Sequence, residues 1–321
     1  MQDIATTPMI EINNLTKYYG EFLAVENLSF TVNKGEIVGL LGPNGAGKTT
    51  TMRVLTGFMP PTSGSAKVAG FDVVSQSLEA RRRIGYLPET VPLYTEMSVV
   101  DYLDFMGNIR GMNKQWRRRR ISDVIGICRL EEYRSSLIGK LSKGFRQRVG
   151  IAQAILHEPE ILIMDEPTIG IDPIQVVETR NLIKSFGGEH TVILSTHILP
   201  EVSMVCERVI IIHEGEVVAI DRPDNLSERL KGTERIEVDI RGPAAQVMTA
   251  LRDIPGVQEV TRTDREDVGS YNIESTSGAD LREHISNLVF QSGWGLLRLQ
   301  PIQMSLEEIF LRLTTTESDS V

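Results

Sequence analysis

Cysteine is scarce in this chain: only Cys128 and Cys206 occur, neither in a CxxC pair nor beside a histidine cluster. That excludes a disulfide-stapled fold and a cysteine-based zinc site, and it points to two reduced, buried thiols. Long apolar runs are missing too. No stretch approaches the roughly 18–20 residues that cross a bilayer as a helix, and the polar start, Met1–Pro8, has no apolar signal-peptide core. A membrane role therefore needs another chain to do the spanning. Positive charge is in deficit, with a net of −9 over 321 residues. Broad nucleic-acid binding draws on Lys and Arg contacts to phosphate, so nucleic acid is not an expected partner.

The length suits two domains rather than one. Residues 232–321 carry 15 acidic and 8 basic side chains, so most of the negative charge lies there and a boundary is expected near Leu230–Thr233. Upstream of it, Ile37–Leu41, Ile161–Met164, Val192–Ser195 and Val209–Ile212 read as buried strands alternating with helical stretches, the pattern of βαβ units on a mainly parallel sheet. Ile10–Leu15 and Ala24–Val32 alternate apolar with polar residues and read as antiparallel strands flanking that sheet. Between about residues 93 and 155 the pattern turns helical: Val99, Tyr102, Leu103 and Met106 recur at helical spacing. Arg117–Arg120, in that segment, reads as a solvated helix face. Downstream of the boundary the order is βαββαβ, a ferredoxin-like α+β pattern, followed by a short helix over Ser305–Leu313 with a capping-box spacing. This second domain, 232–321, could serve as a dimerisation platform, a ligand sensor or a dock; dimerisation is the first choice.

The chemistry concentrates in the first domain. Gly42-Pro43-Asn44-Gly45-Ala46-Gly47-Lys48-Thr49 matches GxxxxGK[ST] between a buried strand and a helix predicted over Lys48–Gly57. The glycines let the backbone wrap close and aim N–H groups at a phosphate, and the helix N-terminus adds partial positive charge. Gly42, Pro43, Asn44, Gly45, Ala46, Gly47, Lys48, Thr49 and Thr50 are the candidate nucleotide contacts, with Lys48 reaching the β- and γ-phosphates of ATP and Thr49 ligating Mg2+. Ile161-Leu162-Ile163-Met164-Asp165-Glu166 is an apolar strand ending in two acids. Asp165 is a candidate to hold Mg2+ beside Thr49, and Glu166 to polarise the attacking water as general base.

With these elements in place the chain resembles the ABC ATPase family over most of its length. Leu141-Ser142-Lys143-Gly144-Phe145 resembles the LSGGQ signature, ahead of a helix predicted over Arg146–Ile155. Lys143 stands where the family has glycine, and Phe145 where it has glutamine. The resemblance implies that Ser142 and Gly144 act on ATP held by an opposite subunit, so that nucleotide joins two chains, most simply a homodimer. It also implies that Tyr19, with Tyr18 the weaker candidate, stacks on adenine. Asp172 resembles the D-loop residue that reaches across the dimer, and His197 the switch histidine at the γ-phosphate, which joins Glu166 and Lys48 as a catalytic residue. Glu89, in Gly85-Tyr86-Leu87-Pro88-Glu89, stands at the Q-loop where glutamine is usual and is the third candidate Mg2+ ligand. That loop leads to the helical subdomain, which in the family docks on a separate transmembrane permease at the cytoplasmic face of the cell membrane. Leu-Ser-Lys-Gly, Glu89, the C-terminal extension and the ending Ser305–Phe310 are similar to ABC-2 type exporters. Two other readings stay open. A soluble ABC ATPase acting on ribosomes or DNA is opposed by the single signature, the acidic charge and the lack of heptads or cysteine clusters. A non-hydrolysing regulatory subunit is the second.

Overall fold

The computed structural model describes residues 8–230, 233–265, 268–276 and 281–302. Two compact units emerge, Met1–Pro223 and Asp224–Val321. In the first, β1 (Pro8–Tyr19) and β2 (Phe22–Asn33) form an antiparallel hairpin. Their alternating apolar residues Ile10, Ile12, Leu28, Phe30 and Val32 are buried on one face, as a period of two requires. β3 (Ile37–Leu41) has no polar side chain and all five residues are buried, so it lies inside the unit. Then come α1 (Lys48–Leu55), β4 (Ser63–Val68), β5 (Phe71–Asp72), α2 (Ser77–Arg82), β6 (Ile84–Leu87), α3 (Val99–Ile109), α4 (Lys114–Ile127), α5 (Lys143–Ile155), β7 (Ile161–Asp165), α6 (Pro173–Lys184), β8 (Thr191–Thr196), α7 (Leu199–Val205), β9 (Arg208–His213) and β10 (Glu216–Asp221).

Two sheets organise these elements. The antiparallel one runs β2-β1-β4-β5. The other runs β10-β9-β3-β8-β7-β6, parallel throughout except for the antiparallel edge strand β10. A shared apolar cluster joins them, with Ile10, Leu15 and Phe30 from one sheet and Val38, Ile163, Ile193 and Ile210 from the other around Met52 and Leu55 of α1.

The segment expected to be helical supplies α3, α4 and α5, each with a side-chain N-cap. Ser98 accepts the Asp101 N–H, Asn113 the Trp116 N–H and Ser142 the Phe145 N–H, which satisfies donors that a helix start leaves free. The Arg117–Arg120 run is only half a solvated face. Arg117 turns onto Asp104 of α3 at 2.7 Å, and Arg120 meets Glu158 at 3.1 Å and the carbonyls that end α5. Both tie helices together. Cys128 and Cys206 are buried free thiols; burial pushes Cys128 up to about 12, so it stays protonated.

Around the junction of the two units lies α8 (Pro223–Leu230). The second unit runs β11 (Thr233–Arg241), α9 (Ala244–Arg252), β12 (Val257–Arg265), β13 (Val268–Thr276), α10 (Arg282–Gln291) and β14 (Gly295–Ile302). Its antiparallel sheet has the order β12-β13-β11-β14, so the two strands that frame the first helix are not neighbours, as in a ferredoxin-like fold. Ile236, Val238, Ile240, Tyr271 and Ile273 of the sheet bury Val247 and Leu251 of α9 and Ile285 and Val289 of α10 in a core of their own. The helix expected over Ser305–Leu313 lies outside the described residues. Among the described residues no helix is long and apolar enough to cross a membrane.

Candidate functional site

Three neighbouring parallel strands, β3, β8 and β7, end side by side. Their register sets Leu41 opposite Thr196 and Asp165 opposite Ser195. Whatever follows each strand therefore meets at one edge of the sheet, where open α/β sheets hold their ligands. Gly42–Gly47 follows β3, Glu166 follows β7 and His197 follows β8.

Residues 42–47 turn the chain from β3 into α1, and two glycines are required by that path. A Cβ on Gly42 would run into the Ile212 carbonyl. Gly47 has φ 98° and its Cβ would sit 2.7 Å from the Ala24 carbonyl of β2, so the first sheet presses against the loop there. Asn44 and Gly45 face solvent, with nothing within 4 Å of a Cβ built on Gly45. The first rung of the helix is Thr51 N–H to Gly47 O at 2.9 Å. The N–H groups of Lys48, Thr49 and Thr50 precede that rung, so the helix itself has no acceptor for them. A close-wrapped loop with unspent N–H groups at a helix start suits the phosphates of a nucleotide.

Lys48 is only 6% exposed. Its ammonium donates to Gly42 O at 2.8 Å and Pro43 O at 3.0 Å and lies 3.5 Å from Glu166 Oε1. Glu166, 5% exposed, has φ 48°, a left-handed conformation uncommon for glutamate. His197 Nδ1 sits 3.1 Å from both carboxylate oxygens of Glu166. An ionised carboxylate only accepts, so Nδ1 is the protonated nitrogen and donates. Thr49 Oγ1 donates to Asp165 Oδ1 at 3.3 Å. Among the described residues no group of three His, Cys, Asp or Glu could hold a metal alone. Thr49 and Asp165 are hard oxygen donors of the kind Mg2+ takes, and Mg2+ in nucleotide sites relies on phosphate and water for most of its shell. The residues present thus suit MgATP.

Ser195 was not legible as a site residue. Fully buried at the end of β8, it donates to Asp165 Oδ1 at 2.5 Å and accepts the Glu166 N–H at 2.9 Å. One hydroxyl thus holds both acids. Ser195→Ala is expected to cost about 1–3 kcal/mol, because it leaves a buried N–H without an acceptor; the shift in denaturant midpoint at constant slope measures it.

Other candidates sit apart from this group. Glu89 is exposed just after β6, a strand where only loop was expected, and no hydrogen bond or ion pair joins it to Thr49 or Asp165 among the described residues. It is nonetheless close enough to act on Tyr86, whose phenol is pushed up to about 12 by burial and then by the Asp165 and Glu89 carboxylates, against an opposing effect of Arg53. Tyr19 ends β1, its hydroxyl 3.0 Å from Met59 Sδ and its face half exposed beneath the Lys17 ammonium. It lies two residues beyond Lys17, which pairs with Val25, the β2 residue packed at Gly47.

Ser142, Gly144 and Asp172 form a second cluster. The helix after Ser142 starts at Lys143, three residues earlier than expected, because the Ser142 hydroxyl caps it. Asp172 caps α6 by accepting the Gln175 N–H at 3.1 Å. The Gln175 side chain lies over Gly144, where any Cβ would overlap its amide, and Gln175 Oε1 is buried without a hydrogen bond. Lys143 extends its ammonium over Gly170 in the same way. The start of α5 and the segment leading into α6 are thus packed together.

Comparison with known proteins agrees with this geometry. The family profile described as ABC transporter matches residues 25–169. A linearmycin resistance ATP-binding protein from Bacillus subtilis is 34% identical over 95% of this chain and 98% of that protein. A bacitracin transport ATP-binding protein from Bacillus licheniformis is 35% identical over 95% and 97%. A solved ATP-binding subunit of an ABC transporter superposes with a TM-score of 0.62 at 32% identity, covering 69% of this chain and 92% of that one. Matched over 95% of its length by the first two of these relatives, the chain belongs to the ATP-binding subunits of ABC transporters and is an ATPase of that family.

Proposed function

We propose that this chain powers an exporter: a homodimer on the cytoplasmic face of the cell membrane, docked on a separate permease, closes on MgATP and opens on hydrolysis. Family members work with a membrane permease and usually pair. Relatives over the whole length include the linearmycin resistance and bacitracin transport proteins and a Nod factor export protein from Cupriavidus metallidurans, 32% identical over 97% of this chain. The observation that carries the two-subunit reading is the division of the site. Lys48, Thr49, Asp165, Glu166 and His197 form one bonded group, whereas Ser142, Gly144 and Asp172 form another with no bond to it among the described residues. A second copy can supply the missing half.

In this reading the Gly42–Thr50 segment and Lys48 grip the phosphates, with Tyr19 against the adenine. Thr49 and Asp165, with Glu89 as the third ligand, would hold Mg2+, which supplies charge neutralisation on the phosphates when bound. The Lys48 ammonium gives up its contacts with Gly42 O, Pro43 O and Glu166 for phosphate oxygens. Glu166, released from Lys48, accepts a proton from the attacking water, while His197 turns its Nδ1–H from Glu166 to the γ-phosphate and holds it. The bond to the ADP oxygen breaks, the ligand shared with Ser142 and Gly144 of the second subunit is lost, and the dimer opens.

The test is recovery of the tagged chain from detergent-solubilised membranes with phosphate release measured on the product. Stoichiometric recovery of a multi-spanning protein, with ATPase activity, is expected. Recovery with ribosomes or DNA and without such a partner overturns the transporter reading.

A further inference from the structure

Glu201 lies in α7, four residues beyond His197, and is 6% exposed. Both of its oxygens are engaged, one by residues beside Glu166 and His197 and the other by α6. Oε2 accepts the Thr168 hydroxyl at 2.7 Å and the Thr196 hydroxyl at 3.0 Å. Oε1 faces Arg180 Nη2 of α6 at 3.2 Å. Thr168 stands two residues after Glu166, and Thr196 immediately before His197. The Thr196 oxygen in turn accepts the Ile198 N–H at 3.1 Å, so His197 is pinned on both sides through one hydroxyl.

Anchoring α7 does not require this arrangement. Val202 and Val205 already bury that helix, and a buried ion pair is often matched in stability by apolar residues of the same size. What a carboxylate does that an apolar side chain cannot is draw two hydroxyls to a single oxygen. The Arg180 guanidinium supplies the countercharge, and an acceptor-only group compels both threonines to donate. Glu166 needs such support: its φ of 48° is held by the Ser195 contact before the turn and by Ile169 N–H to Glu166 O at 3.2 Å within it. Thr168 lies in that turn.

We propose that Glu201 is a positioning residue for hydrolysis, which sets the Glu166–His197 contact by tying the turn after β7 and the end of β8 to one carboxylate oxygen. The proposal rests on Glu166 acting as the base. Glutamine at 201 cannot serve both sides, because its single oxygen can face either the threonines or Arg180 and its NH2 group is left on the other side.

Single-turnover hydrolysis and MgATP affinity, measured on the full chain with its permease, test this. Glu201→Gln is expected to slow the hydrolysis step about tenfold or more while MgATP affinity stays within about threefold. Thr168→Val should do the same, and Thr168→Ser, which keeps the hydroxyl, should restore the rate. Combining Glu201→Gln with Thr168→Val should be no slower than the slower single variant, since both remove one linkage. If Glu201→Gln does not fold, the Thr168→Val and Thr168→Ser pair decides alone. A wild-type rate per nucleotide-bound molecule in the variants, with only a lower melting temperature, overturns the proposal. Glu166→Gln runs beside them: if it too hydrolyses normally, the base assignment has failed, whereas a dead Glu166→Gln with a normal Glu201→Gln sinks only the role of Glu201.

Discussion

Glu166→Gln is expected to bind MgATP at least as well as the wild type, to lose turnover by about 10²–10⁴, and to accumulate as a closed dimer in ATP. The change is isosteric. It preserves the acceptor that faces His197 Nδ1, and it leaves the Gly42–Gly47 loop and Thr49 untouched. What it removes is the capacity to take a proton from water, a loss of roughly 3–5 kcal/mol of barrier lowering for that range of rates. It also removes the negative charge 3.5 Å from the Lys48 ammonium, which then has less to give up when phosphate arrives. The same loss has a cost without nucleotide. The buried ammonium retains two carbonyl acceptors but no counter-ion, so apo stability should fall by about 1–3 kcal/mol and ATP should restore it. Equilibrium binding, single-turnover phosphate release and light scattering in ATP read these three effects separately. Turnover within a few-fold of wild type, with the variant folded, removes Glu166 as the base.

How much of this was legible in the sequence depended on range. The Gly42–Thr49 motif and the apolar runs of β3, β7, β8 and β9 declared themselves locally, through spacing and through residues that only an interior strand could use. The second unit was legible for the same reason, since its buried Ile236, Val238 and Ile240 alternate with polar residues at a period of two. β6 escaped because Ile84–Leu87 is four residues long and contains Gly85, so its strand character comes from pairing with β7 rather than from its own pattern. Arg117 and Arg120 look like surface charge in one dimension; their partners Asp104 and Glu158 lie 13 and 38 residues away. Ser195 and Glu201 were hidden more deeply. A serine at a strand end or a glutamate in a short helix has no distinguishing neighbours until β7 and β8 lie side by side and bring Asp165 opposite Ser195.

Lys48→Ala should fail one step earlier than Glu166→Gln, at binding. Lys48 is the cation at the centre of the loop. It is held away from solvent by Gly42 O, Pro43 O and Glu166, all contacts that a phosphate can replace without moving the backbone. Alanine leaves the loop path intact, because Gly42 and Gly47 set it, but removes the point charge proposed to face the β- and γ-phosphates. A loss of about 10² or more in MgATP affinity is expected. Thermal shift gives a direct reading: at a nucleotide concentration 100-fold above the wild-type Kd, ligand stabilisation of about 2.7 kcal/mol should drop to about 0.4 kcal/mol. Retained tight binding would contradict the role of this lysine. The two variants also discriminate between each other's explanations. If the Lys48–Glu166 pair were only a structural ion pair, removing either partner would destabilise the protein alike and affect nucleotide alike. If instead one end grips phosphate and the other accepts a proton, Lys48→Ala loses the nucleotide, whereas Glu166→Gln keeps it and cannot consume it.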